Sequence, residues 1–203
     1  IGEGERLVRN KEWSGWCPTH MLSTKVTGKK LGFIGFGRIA QAVAQKAHFG
    51  FGMELSFYDP YPPSDEIIKK FSAKKFDTLE EVLGDSDFIT LHCPGGGSNT
   101  NLMNKDRFAL MKESAFLINT ARGDVVDEAA LVQALKDDVI AGAGLDVYAK
   151  EPTVTEELLS MNNVVLIPHL GSATTETRVA MGLRSLANVK AFFDGKEPGD
   201  RVA

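Results

Sequence analysis

From residue 31 onward, short apolar runs alternate with stretches of helical period. The runs are LGFIGF (31–36), MELSFY (53–58), DFITLH (87–92), SAFLIN (114–119), VIAGAGLDV (139–147) and NVVLIP (163–168). Near-continuous apolar runs of about six residues are what a parallel sheet shows when helices cover both its faces. Between them, residues 38–48 place Ile39, Ala40, Val43, Ala44 and Ala47 on one stripe. Thr78-Leu79-Glu80-Glu81 has the form of a capping box opening a short helix. Asp127 can cap a helix carrying Leu131, Val132 and Leu135. Residues 174–194 predict a last helix, with Val179, Leu183, Leu186 and Phe193 on one face. This alternation predicts an α/β fold: a doubly wound parallel sheet with right-handed crossovers. No repeat of fixed period is present.

The first thirty residues read differently. Residues 5–11 look like the end of a helix, and 12–30 like an irregular arm holding Trp13, Gly15, Trp16, Pro18 and Gly28. Two tryptophans in a loop need an apolar surface. Either a satellite of the core or a subunit interface would supply it. Gly95-Gly96-Gly97 predicts a flexible loop after a strand, and Gly195–Ala203 a polar, irregular tail.

Composition narrows the function. The chain has 203 residues, enough for one domain and part of a second. Hydrophobic residues make up 43%, enough for a sizeable core, and charged residues 25%. The formal net charge is −4, which argues against nucleic acid or an anionic membrane as the main partner. The two cysteines, Cys17 and Cys93, form neither a CxxC pair nor a disulfide framework, so a reducing, cytoplasmic setting is expected. No run is long enough to span a membrane and no signal peptide is visible. The first residue is Ile1 rather than Met, as in a processed or excised piece. His20, His48, His92 and His169 lack metal-ligand spacing, so no metal is expected.

Gly35-Phe36-Gly37-Arg38-Ile39-Ala40 follows the first strand and opens a helix. Gly35 would make the tight turn, and Gly37 would let the backbone approach a pyrophosphate. Ala40 is small enough for close helix–strand packing. Asp59 ends the second strand, where a carboxylate can accept from both ribose hydroxyls of an adenosine and repel a 2′-phosphate. A turn aspartate before Pro60 is the alternative. Turn and carboxylate together point to a dinucleotide, with NAD favoured over NADP.

Three segments at strand ends carry candidate chemistry: Asn119-Thr120-Ala121-Arg122-Gly123, Leu145-Asp146-Val147 through Glu151-Pro152, and Pro168-His169-Leu170-Gly171-Ser172. Arginine suits a carboxylate or a developing oxyanion. Histidine suits proton transfer near neutral pH, and a glutamate bonded to it would fix its tautomer. Arg122, Glu151 and His169 can thus form a carbonyl-reducing set. A salt-bridged arginine, a solvated glutamate and a satisfied histidine are the alternatives. Cys93, before Pro94, reads as an apolar wall rather than a nucleophile.

These segments resemble the D-isomer-specific 2-hydroxyacid dehydrogenases across nearly the whole chain. The pattern runs in order through EWSGW (12–16), GKKLGFIGFGRIAQAVA (28–44), YDP (58–60), LHCP (91–94), LMNKDRFALMK (102–112), INTARGDVVDEAAL (118–131), IAGAGLDVYAKEP (140–152) and IPHLGSAT (167–174). The glyoxylate/hydroxypyruvate reductase branch is the most similar. The resemblance implies that Arg122 binds the substrate carboxylate and carbonyl, that Glu151 supports the histidine, and that His169 is the acid or base. It implies that Arg38 and Ile39 contact pyrophosphate, and Asp59 the adenosine ribose. Cys93 and Pro94 would line the adenosine side, Thr120 and Arg122 lie near the nicotinamide ribose, and Asp146 hold the carboxamide. His169 and Gly171 complete the implied cofactor set with Gly35 and Gly37.

Departures from the family pattern sharpen the expectation. Ala40 stands for the usual third glycine. Tyr58-Asp59-Pro60 replaces the arginine-rich, NADP-accepting segment of many reductase relatives. Asn99 replaces a common threonine, and Glu151 disfavours the formate dehydrogenase branch, which has glutamine there. The family's substrate domain begins before this sequence does. The expected division is therefore a cofactor domain with its arm, 1–172, and a helix and tail returning to the substrate domain, 173–203. Such a piece is expected to hold cofactor but turn over little. A homodimer formed through Trp13 and Trp16 is also implied, with a small 2-oxo or 2-hydroxy acid as the other partner. An NAD(H)-sensing module of the corepressor type, and a dehydrogenase for another small anion such as phosphite, would keep the same residues.

Overall fold

The computed structural model describes residues 1–201; the end of the expected irregular tail, Val202 and Ala203, lies outside the described residues. The chain divides into two compact units, Ile1–Pro168 and a second that begins at His169.

The first unit is a parallel sheet with helices between its strands. In chain order it holds α1 (Gly2–Arg9), β1 (Lys30–Ile34), α2 (Arg38–Phe51), β2 (Glu54–Tyr58), α3 (Asp65–Lys70), β3 (Lys74–Lys75), α4 (Leu79–Asp85), β4 (Phe88–Leu91), α5 (Lys105–Phe108), β5 (Phe116–Asn119), α6 (Glu128–Lys136), β6 (Gly142–Leu145), α7 (Glu156–Leu159) and β7 (Val164–Leu166). The seven strands lie in the order β3-β2-β1-β4-β5-β6-β7, and every pairing is parallel. This is the doubly wound α/β fold that the apolar pattern predicts. The winding reverses between β1 and β4, the place where such sheets bind ligands.

Strand side chains alternate between two cores. Leu31, Phe33, Leu55 and Phe57 pack with Ala40, Ala44 and Ala47 of α2 on one face. Ile34, Ile89, Leu91 and Leu117 pack with Val82, Leu83, Leu131 and Leu135 on the other. The capping box is present: Thr78 N–H donates to Glu81 at 3.0 Å, and Glu81 N–H donates to the Thr78 hydroxyl at 3.3 Å. Asp127 caps α6 through Ala130 N–H at 3.1 Å.

The differences from expectation have local causes. The apolar runs overstate the strands because they include buried turn residues. Phe36 is fully enclosed although the chain has already turned at Gly35, and Ile140 is buried ahead of β6. The short elements α3 and β3 carry too many lysines and acids to stand out. The first helix ends at Arg9, where Asn10 caps it, slightly before the expected boundary. Trp13 and Trp16 are 55% and 81% exposed, so neither is a satellite of the core.

The second unit holds α8 (Thr175–Phe193), capped by Thr174 through Thr177 N–H at 3.1 Å. The apolar face expected from spacing is present, and Val179, Leu183, Leu186 and Phe193 are all exposed. No regular element follows α8 among the described residues. Asp200 is nevertheless pinned to the helix by Arg184 at 2.5 and 2.7 Å and by Asn188 at 2.7 Å.

Candidate functional site

The glycine turn sits at the winding reversal and is knitted to both neighbouring strands. Gly35 N–H donates to the Tyr58 carbonyl at 2.8 Å, and His92 N–H to that of Ile34 at 2.8 Å. Gly35 has φ +88°, and a Cβ there would stand 2.9 Å from the His92 backbone. Both facts demand glycine. Gly37 is the opposite case: a Cβ there would meet nothing within 4 Å. It caps α2 without a side-chain hydrogen bond. Among the described residues, α2 is the only α-helix with no acid in its first turn; Arg38 stands there instead. The open backbone, the free first-turn N–H groups and the positive helix end suit a pyrophosphate. Arg38 and Ile39 are exposed at this end, and Ala40 is fully buried below it.

A cleft of about 760 Å³ opens beside the turn, within the range of cofactor pockets. Gly35, Gly37, Asp59, Cys93, Pro94 and Arg107 are among the residues that line it. Asp59 Oδ2 accepts from Phe36 N–H at 2.7 Å, and Oδ1 from Tyr61 N–H at 2.8 Å. It is therefore a turn aspartate and a wall of the cleft at once. Burial pushes the Cys93 thiol up, with Asp124 and Asp59 adding to the effect, so it stays a thiol. Asn99 also lines the cleft, and its amide donates to the Pro94 carbonyl at 3.0 Å.

Two wall residues escape the sequence reading. Arg107 pairs with Glu80 at 3.0 Å and donates to the Leu102 carbonyl at 2.7 Å. His92 is mostly buried, with Nε2 3.1 Å from the Thr90 hydroxyl and its ring 5.7 Å from Phe33. Both lie in segments quoted for the family pattern, but nothing in their spacing marks them as cleft residues.

A second polar region forms where β5 and β6 end. Buried Asn119 closes its own turn, accepting from Ala121 N–H at 3.0 Å and donating to the Arg122 carbonyl at 2.9 Å. This presents Thr120 and Arg122 outward, both exposed. The Arg122 guanidinium donates to the Ala121 carbonyl at 2.6 Å. The glycine-rich loop after β4 is tied down here rather than loose: Gly96 N–H donates to Asp124 at 2.7 Å, and Gly97–Asn99 form a 3-10 turn. Asp146 is buried, and its N–H donates to the Asn119 carbonyl at 2.9 Å. Glu151 is exposed and accepts from Tyr148 N–H at 3.1 Å. Gly123 lies against the backbone of Tyr148 and Ala149, where a Cβ would come within 1.9 Å of a carbonyl carbon. The loops carrying Arg122 and Glu151 therefore touch backbone to backbone.

The structure thus gathers Gly35, Gly37, Asp59, Cys93 and Pro94 around one cleft, and joins the loops of Arg122 and Glu151. His169 and Gly171 belong to the second unit. His169 opens it with φ +54°, a left-handed conformation uncommon outside glycine.

A family profile described as "D-isomer specific 2-hydroxyacid dehydrogenase, NAD binding domain" matches residues 1–171. The chain belongs to this family. By that description, a D-isomer specific 2-hydroxyacid dehydrogenase binds NAD in this domain. The chain is 44% identical to the glyoxylate reductase of Pyrococcus furiosus over 202 residues, covering 98% of this chain and 59% of that protein. It therefore spans about three fifths of the length of this relative. Two solved structures share the fold. The holo D-mandelate dehydrogenase of Rhodotorula graminis has a TM-score of 0.92 and 33% identity, over 100% of this chain and 61% of that one. The NADPH-dependent glyoxylate/hydroxypyruvate reductase of Sinorhizobium meliloti, solved with NADP and malonate, has a TM-score of 0.90 and 36% identity, with the same coverage. Among the described residues no helix is long and apolar enough to cross a membrane, and no cluster of three or more metal-ligating side chains occurs.

Proposed function

We propose that this chain is the cofactor-binding part of an NAD-dependent oxidoreductase acting on a small 2-oxo or 2-hydroxy acid of the glyoxylate and hydroxypyruvate kind. The observation that carries this reading is the glycine turn that opens, at Gly37, into a cleft walled by Asp59. The names of the Pyrococcus and Sinorhizobium relatives support the substrate class. Residues 1–172 would hold the cofactor, and 173–203 the helix that returns to a substrate domain.

NAD is favoured over NADP by charge. Asp59, Asp77 and Glu80 all line the cleft, and the Arg107 guanidinium already faces Glu80. A 2′-phosphate beside Asp59 would place like charges together, which costs more as water is excluded. The Sinorhizobium relative is NADPH-dependent by name, so membership of the family leaves the choice open and Asp59 makes it.

When bound, the nicotinamide supplies the hydride in the reducing direction and accepts it in the other. Arg122 would hold the substrate carboxylate with two parallel donors and stabilise the carbonyl oxygen as charge develops there. His169 would give its proton to that oxygen as C2 is reduced, and take it back in oxidation. Glu151 would fix the tautomer of His169. Thr120 and Asp146 would lie along the nicotinamide half of the cofactor.

The same reading makes the protein a cytoplasmic homodimer joined through the arm. The exposed Trp13 and Trp16 and the two free cysteines support it. The test is a paired fluorescence titration with NADH and NADPH, followed by an assay of glyoxylate reduction by the full natural chain. Tight NADH, weak NADPH and turnover are expected. NADPH binding as tight as NADH overturns the cofactor assignment. NADH binding without turnover of any 2-oxo acid overturns the enzymatic one in favour of a cofactor sensor.

A further inference from the structure

Glu128 is the first residue of α6, and its carboxylate is not spent on its own helix. Asp127 already caps that helix. Glu128 instead reaches across to the segment after β6. Oε1 accepts from Ala149 N–H at 2.7 Å, and Oε2 accepts from the Thr155 hydroxyl at 2.5 Å. These two donors bracket Glu151.

Inside the bracket the loop is folded on itself. Tyr148 N–H donates to Glu151 at 3.1 Å, and Thr153 N–H to the Lys150 carbonyl at 2.8 Å. Below it, Gly123 packs on the Tyr148–Ala149 peptide, and the Tyr148 hydroxyl donates to the Ile167 carbonyl at 3.0 Å. The holder itself is rigid, because α6 is fixed in the core through fully buried Leu131 and nearly buried Leu135. A carboxylate on an anchored helix that binds both ends of an exposed loop limits the conformations the loop can visit. Hydrogen bonds to a charged acceptor are the stronger kind.

We propose that Glu128 is a positioning residue: by holding the loop at Ala149 and Thr155 it presents Glu151 in one orientation for the substrate chemistry. This rests on the role given to Glu151 above. The glycine turn and Asp59 stand on other elements, so cofactor affinity does not depend on Glu128.

The experiment compares the full natural chain with Glu128→Ala, Glu128→Gln and Thr155→Val. It measures amide hydrogen exchange at Ala149, the NADH dissociation constant, and kcat and KM for glyoxylate. In Glu128→Ala the Ala149 amide exchanges about tenfold faster or more, kcat falls roughly 10- to 100-fold, and NADH affinity stays within about twofold. Glu128→Gln, which keeps an oxygen for Ala149 N–H, recovers most of kcat. Thr155→Val, which removes one donor without touching the carboxylate, falls between. A merely structural residue would lower the melting temperature without separating kcat from NADH affinity. Unchanged Ala149 exchange in Glu128→Ala overturns the proposal whether or not the enzyme turns over. Unchanged kcat in an active enzyme overturns it as well. A wild type without turnover condemns the function proposed above instead, and the Ala149 exchange rate still decides whether Glu128 holds the loop.

Discussion

Phe36 N–H donates to Asp59 Oδ2 at 2.7 Å, tying the middle of the glycine turn to the end of β2. Two neighbouring strand ends are thus locked by the residue that also walls the cleft. The second oxygen takes Tyr61 N–H at 2.8 Å. Each carboxylate oxygen has two lone pairs, so acceptor capacity is left for ribose hydroxyls. Asp59 shapes the turn whether or not cofactor is present.

Asp59→Asn and Asp59→Ala should therefore separate two effects. The asparagine keeps one oxygen acceptor but loses the charge. Its preference for NADH over NADPH should shrink by about tenfold or more, since about 1.4 kcal/mol corresponds to a factor of ten, with a drop in melting temperature smaller than the alanine's, because its amide nitrogen faces one of the two N–H donors. The alanine loses both acceptors and should also cost roughly 1–3 kcal/mol of stability and weaken NADH itself. Paired cofactor titrations and thermal melts of both variants read this. An asparagine variant as selective as the wild type would remove Asp59 from cofactor choice.

Much of this was legible in advance, because some signals are local. The capping box at Thr78 and the cap at Asp127 are side-chain-to-backbone bonds within one turn, and sequence spacing fixes them. The doubly wound parallel sheet is legible in the alternation of apolar runs with helical stretches, though the order of its strands is not. What was not legible depends on contacts between distant segments. Nothing near Glu128 announces that it reaches Ala149, and nothing near Arg107 announces Glu80. Phe36 read as strand because its side chain is buried, whereas Gly35 turns the backbone before it. The tryptophans of the arm show the limit in the other direction: their residue type demands a surface, and among the described residues Trp13 is covered only in part and Trp16 hardly at all.

Gly37→Ala and Gly123→Ala should fail in opposite ways. The added methyl at Gly37 meets nothing within 4 Å, so the fold should tolerate it. It would intrude where the pyrophosphate approaches, and NADH affinity should fall by about tenfold or more. The methyl at Gly123 would stand 1.9 Å from the Tyr148 carbonyl carbon, which is backbone and cannot swing away. That variant should lose about 3 kcal/mol or more of stability. Urea unfolding beside NADH titration distinguishes the two. A stable Gly123→Ala variant would mean that the Arg122 and Glu151 loops do not touch as described.

Leu117→Ala tests the sheet itself. Leu117 lies in the middle of β5, is fully buried, and belongs to the larger of the two cores. Removing its side chain should cost about 3–5 kcal/mol, the transfer energy plus the cavity left behind. Urea unfolding reads it. A loss below about 1 kcal/mol would contradict close packing of β5 against the helices on that face.

Acid should destabilise the fold through His92. Burial pushes His92 down to about 4 from its ordinary 6.5. Between those values the unfolded chain binds a proton that the folded chain refuses, so stability must fall as pH drops through this window. The loss approaches on the order of 3 kcal/mol near pH 4. Asp87 acts elsewhere on the scale. Burial alone would raise its carboxyl, but hydrogen bonds from Lys112 and the Lys30 N–H outweigh this and hold it low. Its contribution is present above the ordinary carboxylate value and is lost only as pH falls below it, beneath the histidine's window. His92→Gln can keep a hydrogen bond to Thr90 without a titrating ring. Between about pH 4 and 6.5 the slope of its unfolding free energy against pH should be smaller than that of the wild type by up to one proton. Urea unfolding across that range measures both slopes. Parallel slopes would mean that His92 takes up its proton in the folded protein as readily as in the unfolded chain, and that the wall of the cleft at β4 is wetter than its burial indicates.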